Sequence, residues 1–332
     1  MLDADSWTRE PRLVIGYDGE RDSCDALAFG AHLIRDIRAH LTVAAAFPHL
    51  RAHAGSEAFE LALGRKSDPI FAEARTQLKR TAGNVAARER ALGGFPVPRL
   101  LSRLASNEDA DLLVLGSTRR APLARALLGS TGDRVIRTAP CPVAIVPHGY
   151  AERPSEPIKL VGAAYDGTAG GERAVRQAAA LARAASARLR MIAVVEPIGV
   201  ADIAYAGQTP AGPDPRFSRE ILERVTDDLL ASLPEDLDAD SLFLSGDPAE
   251  ELVEGVADSV DTLVVGSHAD APILRAFLGS VSTSIMRSAT FPVIVVPPHA
   301  ALGFGAAYDE PRLRLVPRAP AQSHSAAGPT PA

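Results

Sequence analysis

Two aspartates stand at the ends of short apolar runs: Asp18 in VIGYDGE and Asp166 in GAAYDGT. Two Gly-Ser pairs end other apolar runs, Gly116-Ser117 after LLVL and Gly266-Ser267 after TLVV. Thirteen residues beyond each of those glycines comes a second pair, Gly129-Ser130 and Gly279-Ser280. This combination suits an anion. Glycine lets backbone approach a phosphate, and a helix N-terminus presents unpaired N–H groups with a favourable dipole. A carboxylate at a neighbouring strand end can accept hydrogen bonds from a ribose or a base. Each feature alone is ordinary, since Gly-Ser caps helices and Asp-Gly makes turns. The paired spacing occurs twice, at the same place in two halves of the chain, and that recurrence favours a phosphate or nucleotide site.

Other reactive patterns are absent or incomplete. GRKS at 64–67 resembles the end of a phosphate-binding loop, but Arg65 stands where that loop needs glycine, so a surface loop is expected. The sequence has no GxSxG, HExxH or CxxC. His32, His40, His49 and His53 are scattered and are expected to be solvated rather than metal-bound. No nucleophile, base and orienting group form a set, so no catalysis is expected beyond slow or incidental ATP hydrolysis. Cys24 and Cys141 are too few for a disulfide framework or a zinc site and are expected to be buried free thiols.

What must position these residues is a repeat. Residues 116–147 align without a gap on residues 266–297 at an offset of 150, with 15 of 32 positions identical. Residues 13–20 match 160–168 at an offset near 148. The 332 residues therefore divide into a domain at 10–147, a linker rich in proline and charge at 148–157, and a second domain at 158–298. The Pro/Ala/Ser-rich stretch at 303–332 is expected to be a disordered tail.

Each copy alternates apolar runs with helical periodicity. In the first, strands are expected at 13–17, 41–47, weakly at 85–92, 111–115 and 142–146. Helices are expected at 23–39, capped by Asp22 or Ser23, then at 69–83, 98–105 and 123–138. The second copy has strands at 160–165, 188–195, 241–244, 262–265 and 292–296, and helices at 172–186, 215–232, 249–257 and 283–287. Continuous apolar strands between helices imply a parallel sheet covered on both faces. The result is an α/β chain of two tandem, doubly wound, Rossmann-like domains with five-stranded parallel sheets. The ligand crevice of such a domain lies at the carboxyl ends of the strands, at a topological switch point.

Composition narrows the partners. Aromatics are only 5%, so the core must be built from Ala, Val, Leu and Ile. The net charge of −6 argues against nucleic acid. The first 150 residues carry 20 basic and 17 acidic groups and the remainder 15 and 24, so no polybasic patch is expected. No apolar run approaches the ~18 residues of a membrane span. The opening MLDADSWTRE has no apolar core of a signal peptide, and a cytoplasmic setting is expected.

Each copy resembles a universal stress protein domain, over about 10–147 and 157–297, so the chain looks like a tandem member of that family. The marks are VIGYDG and GAAYDG, ADLLVLGS and VDTLVVGS, LLGST and FLGSV, and the closing APCPVAIVP and TFPVIVVP. The resemblance implies an adenine nucleotide alpha hydrolase-like fold. It also implies, in the ATP-binding branch, Gly, two residues, Gly, nine residues, then Gly-Ser or Gly-Thr. That spacing runs from Gly116 to Gly129-Ser130 and from Gly266 to Gly279-Ser280, but Arg119 and Ala269 replace the middle glycine. A Cβ there opposes close approach of the backbone to phosphate. Arg119 and Arg120 would pair with phosphate oxygens, whereas Asp270 would repel them.

By the same resemblance, Asp18 and Asp166 would meet the adenine–ribose part of ATP, with or without magnesium. Ala45 and Val194 would line the adenine slot, with Leu115 and Val265 beside it. Gly129, Ser130 and Thr131, with Gly279, Ser280 and Val281, would hold phosphates. The family pairs its last strand with that of another domain. The segments from Pro142 to Val146 and from Pro292 to Val296 are therefore expected to join the copies as an intramolecular pseudo-dimer, with a further homodimer left open. The function implied is a stress-response protein with adenine nucleotide as regulatory ligand. A nucleotide-independent interaction scaffold and a slow ATPase are the alternatives.

Overall fold

The computed structural model describes residues 9–48, 56–117, 130–154, 156–195, 215–267 and 279–306, with backbone alone at 130 and 215–218. The first copy runs β1 (Arg12–Gly16), α1 (Arg21–Asp36), β2 (His40–Phe47), α2 (Glu57–Ala82), β3 (Ala87–Gly93), α3 (Val97–Asn107), β4 (Leu112–Gly116), α4 (Ser130–Ile136) and β5 (Val143–Val146). The second runs β6 (Leu160–Ala164), α5 (Ala169–Ala185), β7 (Arg188–Val195), α6 (Pro215–Ala231), β8 (Ala239–Ser245), α7 (Pro248–Glu251), β9 (Thr262–Gly266), α8 (Ser280–Ser288) and β10 (Val293–Val296). Among the described residues, no helix is long and apolar enough to cross a membrane.

The strands form one ten-stranded sheet in the order β3-β2-β1-β4-β5-β10-β9-β6-β7-β8. Alternation along β1 shows why its run is unbroken. Leu13 and Ile15 face Phe29, Leu33 and Phe71, while Val14 faces Leu101, Leu113 and Val135 on the other side. A strand buried on both faces has no polar face to show in the sequence. Each of the two apolar layers contains residues of both copies.

Pairing is parallel except at the centre, where β5 and β10 run antiparallel through Val293–Ile145, Ile294–Ala144 and Val295–Val143. The offset of 150 exchanges the first and last of these pairs and maps Ala144 onto Ile294. The middle pair therefore sits on a pseudo-two-fold axis, as in an isologous dimer interface. The two closing strands cover each other's edges as expected.

Several elements differ from expectation. α2 begins at Glu57, not near 69. Ser56 caps it by accepting from Phe59 N at 3.2 Å, and Phe59, Leu63, Ser67, Phe71, Ala74 and Leu78 recur on one buried face. GRKS is thus helical rather than a surface loop, with Ser67 buried and donating to the Gly64 carbonyl at 3.2 Å. Pro69 lies inside the helix and hid its first half in the sequence. α7 stops at Glu251, and residues 252–259 continue as turns, with Val253 N bonded to Glu250 O and Ser259 N to Val256 O. Gly255 within that stretch weakens helix propagation.

At α1 the N-cap is Glu20, not Asp22 or Ser23, and no side chain caps the helix. The expected tail also starts too early. Gly303 N donates to Gln177 Oε1 at 2.7 Å and Phe304 N to Asp111 Oδ1 at 3.0 Å, and the Phe304 ring is buried. Residues 303–306 belong to the fold, and the rest of that stretch lies outside the described residues. Cys141 is buried, which pushes its thiol up to about 12, while Cys24 is half-buried rather than buried.

Candidate functional site

β1 lies between β2 and β4, so the connections leaving β1 and β4 run to opposite sides and a crevice opens at their carboxyl ends. In the first copy this crevice is a cleft of about 480 Å³. Gly16, Ala44, Ala46 and Leu115 line it from the strand ends, Val97 and Leu101 from α3, and Thr131 and Gly132 from α4. The turn after β1 supplies Tyr17, Asp18, Glu20, Asp22 and Ser23. A larger cavity of about 690 Å³ opens between the copies beside the amino ends of the strands, lined by Arg9, Arg38, Arg183 and Arg188 with Glu10, Asp236 and Asp238. It contains none of the residues the sequence singled out.

The two strand-end aspartates build the turns that start the next helix. Asp18 Oδ1 accepts from Glu20 N at 3.0 Å around Gly19, whose φ is +83°. Asp166 Oδ1 accepts from Thr168 N at 3.0 Å and from Thr168 Oγ1 at 2.6 Å around Gly167, whose φ is +78°. Both aspartates are exposed at the rim of the crevice. Ser23 Oγ accepts from Asp18 N at 3.3 Å and donates to Glu20 O at 2.8 Å, so its hydroxyl is committed to the turn.

The first glycine of each motif has a packing reason. A Cβ on Gly116 would collide with the Asp22 carbonyl oxygen, and one on Gly266 with the Gly170 carbonyl oxygen. The first turns of α1 and α5 thus rest directly on the ends of β4 and β9. Ser117 is buried with its hydroxyl unpartnered among the described residues, while Ser267 Oγ donates to Val296 O at 3.3 Å.

The remaining predicted residues are placed as follows. Leu115 and Thr131 line the cleft. Val265 is buried in the apolar layer on the cleft side of the sheet, and Val194 and Val281 pack against that layer. Gly279 is the N-cap of α8 and Ser280 its first residue, while Ser130 starts α4. Arg119, Gly129 and Ala269 lie outside the described residues. Ala45 is a correction. It is fully buried on the opposite face of the sheet, with Phe29 and Phe71, and its neighbours Ala44 and Ala46 line the cleft instead. Side chains alternate along a strand, so a slip of one residue exchanges the faces. Ala44, Ala46, Val97 and Leu101 were legible only as apolar residues. Asp22 was visible only as a possible helix cap, and Glu20 carried no signal.

Beneath the turn, α1 grips the segment that follows β5. The buried Asp25 carboxylate accepts from Gly149 N at 2.9 Å and Ala151 N at 2.7 Å. Burial raises the Asp25 carboxyl above its usual range, and these two amides pull against that rise. Asp22 Oδ1 lies 2.9 Å from His148 Nδ1. The ligand atoms of Asp22, Asp25 and His148 lie within 4.8 Å of one another. Both Asp25 oxygens already accept amides, so the cluster acts as a clamp on the linker. In the second copy Arg173 takes the place of Asp25 and donates to the carbonyls of Pro297 and Ala300. His32 is buried rather than solvated, with Nδ1 at 3.1 Å from the Tyr150 hydroxyl, and burial lowers its pKa, with Arg35 adding to the effect.

Comparison with known proteins bears on the family and the fold. The family model described as "Universal stress protein family" matches residues 11–147 and 157–297. A universal stress protein of Mycobacterium tuberculosis is 33% identical over 203 residues, 60% of this chain. That match spans 65% of the relative's own length. A second universal stress protein of the same organism is 27% identical over 305 residues, covering 86% of this chain and 99% of the relative. The crystal structure of a universal stress protein from Archaeoglobus fulgidus superposes with a TM-score of 0.63 at 18% identity, covering 86% of this chain and 97% of that one, which shows a shared fold. With the family model matching both halves, the chain belongs to the universal stress protein family.

Proposed function

We propose that this protein binds an adenine nucleotide as a regulatory ligand in the crevices at the carboxyl ends of β1/β4 and β6/β9. One observation carries the reading: the cleft of about 480 Å³ gathers Asp18, Leu115, Gly116 and Thr131, which lie up to 113 residues apart, around one volume. That volume suits a small organic ligand. Ala44, Ala46, Val97 and Leu115 offer an apolar wall for a base, and the Asp18 carboxylate at the rim suits a ribose hydroxyl. In the second copy, Asp166 and Val194 take the corresponding places, and the start of the nine-residue α8 at Gly279 to Val281 presents N–H groups to phosphate. Two free cysteines fit a reducing, cytoplasmic compartment.

A thermal shift tests this. A ligand present at about a hundred times its Kd stabilises by about 2.7 kcal/mol. Millimolar adenine nucleotide should raise the Tm by several degrees, and a guanine nucleotide should do so less. An unchanged Tm with every nucleotide contradicts the reading.

A second reading is a nucleotide-independent interaction scaffold. Helix packing alone already requires Gly116 and Gly266, so these glycines do not need a phosphate. That reading predicts binding only after Arg119→Gly and Ala269→Gly restore the middle glycines. Equal affinity of the wild type and the double variant contradicts it.

A further inference from the structure

An exposed aromatic ring flanks the first crevice. Three large apolar side chains are exposed among the described residues, and Phe95, the aromatic one, is the most exposed at 74%. A single exposed apolar residue ordinarily needs no explanation. Phe95 is distinguished by its place. Gly94 N donates to Phe47 O at 3.2 Å, so the chain leaves β3 beside Pro48, and Phe95 follows directly. Pro48 lines the cleft, and so does Val97, two residues beyond Phe95.

The second copy shows what this position otherwise holds. The registers Leu41–Ala87 and Leu189–Ala239 make the two alanines equivalent, so Phe95 is matched by Asp247. The turns agree as well. Gly246 N donates to Val195 O at 3.3 Å as Gly94 N does to Phe47 O, and a proline follows Phe95 and Asp247 alike. Asp247 caps α7 by accepting from Ala249 N at 2.9 Å and Glu250 N at 3.0 Å. α3 starts with no side-chain cap. The phenylalanine thus gives up a helix cap and exposes a ring, two losses for stability. Departures of this kind gather at functional sites.

Resting on the nucleotide reading above, we propose that Phe95 stacks on the base of a ligand in the first crevice and sets a preference there for purines over pyrimidines. Ala44, Ala46 and Leu115 give the base an aliphatic wall. An aromatic ring at the rim adds an offset stack, which a two-ring purine fills more fully than a one-ring pyrimidine.

Hydrogen–deuterium exchange at residues 17–23 of the full chain, titrated with ATP and with UTP, reads the first crevice apart from the second. Phe95→Ala should leave the ligand-free Tm unchanged, because the ring is exposed. It should weaken ATP about tenfold and UTP by about threefold, while Phe95→Tyr should keep the wild-type values within about twofold. In Phe95→Trp, saturating ATP should quench the emission of the new indole, read against the wild type, whose one tryptophan is Trp7. Wild-type affinity for ATP in Phe95→Ala, or an unquenched indole, overturns the proposal. Equal losses for ATP and UTP overturn the purine preference, and a ligand-free Tm lowered by several degrees shows a packing role instead. Protection of the wild type by neither nucleotide rejects the reading on which the proposal rests.

Discussion

Gly116 and Gly266 show how one atom ties the fold to the site. A methyl group at either position would strike a backbone carbonyl in the first turn of α1 or α5, which cannot move as a flexible side chain can. Gly116→Ala should cost about 1–3 kcal/mol through overpacking and should distort the turn carrying Asp18, as read by urea unfolding. The glycines and Asp18 were legible because strand ends and turns leave strong local signals. Ala45 was not, because the run Ala44-Ala45-Ala46 offers no polar partner to mark which side chain faces which way. Asp25 was not either, since its amide partners lie more than 120 residues away.

Asp25 also has a pH signature. Its folded-state pKa is raised by burial, so the folded chain holds the proton more tightly than the unfolded chain. Its ionisation therefore penalises the folded state. The wild type should lose stability relative to Asp25→Asn as pH rises from the ordinary carboxylate value through the raised folded-state value, and the gap should be constant beyond it. Denaturation midpoints of both proteins across that range check the sign. An unchanging difference between the two would show that the two amides fully offset burial.

At the scale of elements, the linker is held as firmly as a helix. Tyr150 packs edge-on against Phe29 of α1, with ring centroids 5.7 Å apart, and its hydroxyl meets His32. Tyr150→Phe keeps the ring contact and should cost about 1 kcal/mol, and Tyr150→Ala should cost about 3. Chemical denaturation distinguishes these values. The sequence showed this segment as proline and charge alone, because its order comes from contacts with α1 rather than from its own propensity. α2 teaches the converse. Its buried positions recur at helical spacing across Pro69, so periodicity was the truer guide than the breaker.

At the scale of the whole molecule, the repeat was the most legible feature, because two copies of one pattern support each other. The seam between them follows from it. Ile294 is fully buried and sits opposite Ala144 on the pseudo-axis. Ile294→Asp places an unpaired carboxylate there and should cost at least about 3 kcal/mol. It should also uncover two apolar edges, so light scattering should show higher-order association.

The central claim is that the switch-point crevices hold adenine-based ligands. Isothermal titration of the full chain with ATP and with adenosine, repeated on Asp18→Ala and Asp166→Ala, tests it most directly. The account predicts saturable binding to the wild type. It predicts loss of adenine-ligand affinity by about tenfold at the crevice concerned in Asp18→Ala and in Asp166→Ala, each variant removing a hydrogen-bonding charge. Absence of binding by the wild type at millimolar ligand, or affinities that neither substitution changes, would contradict it.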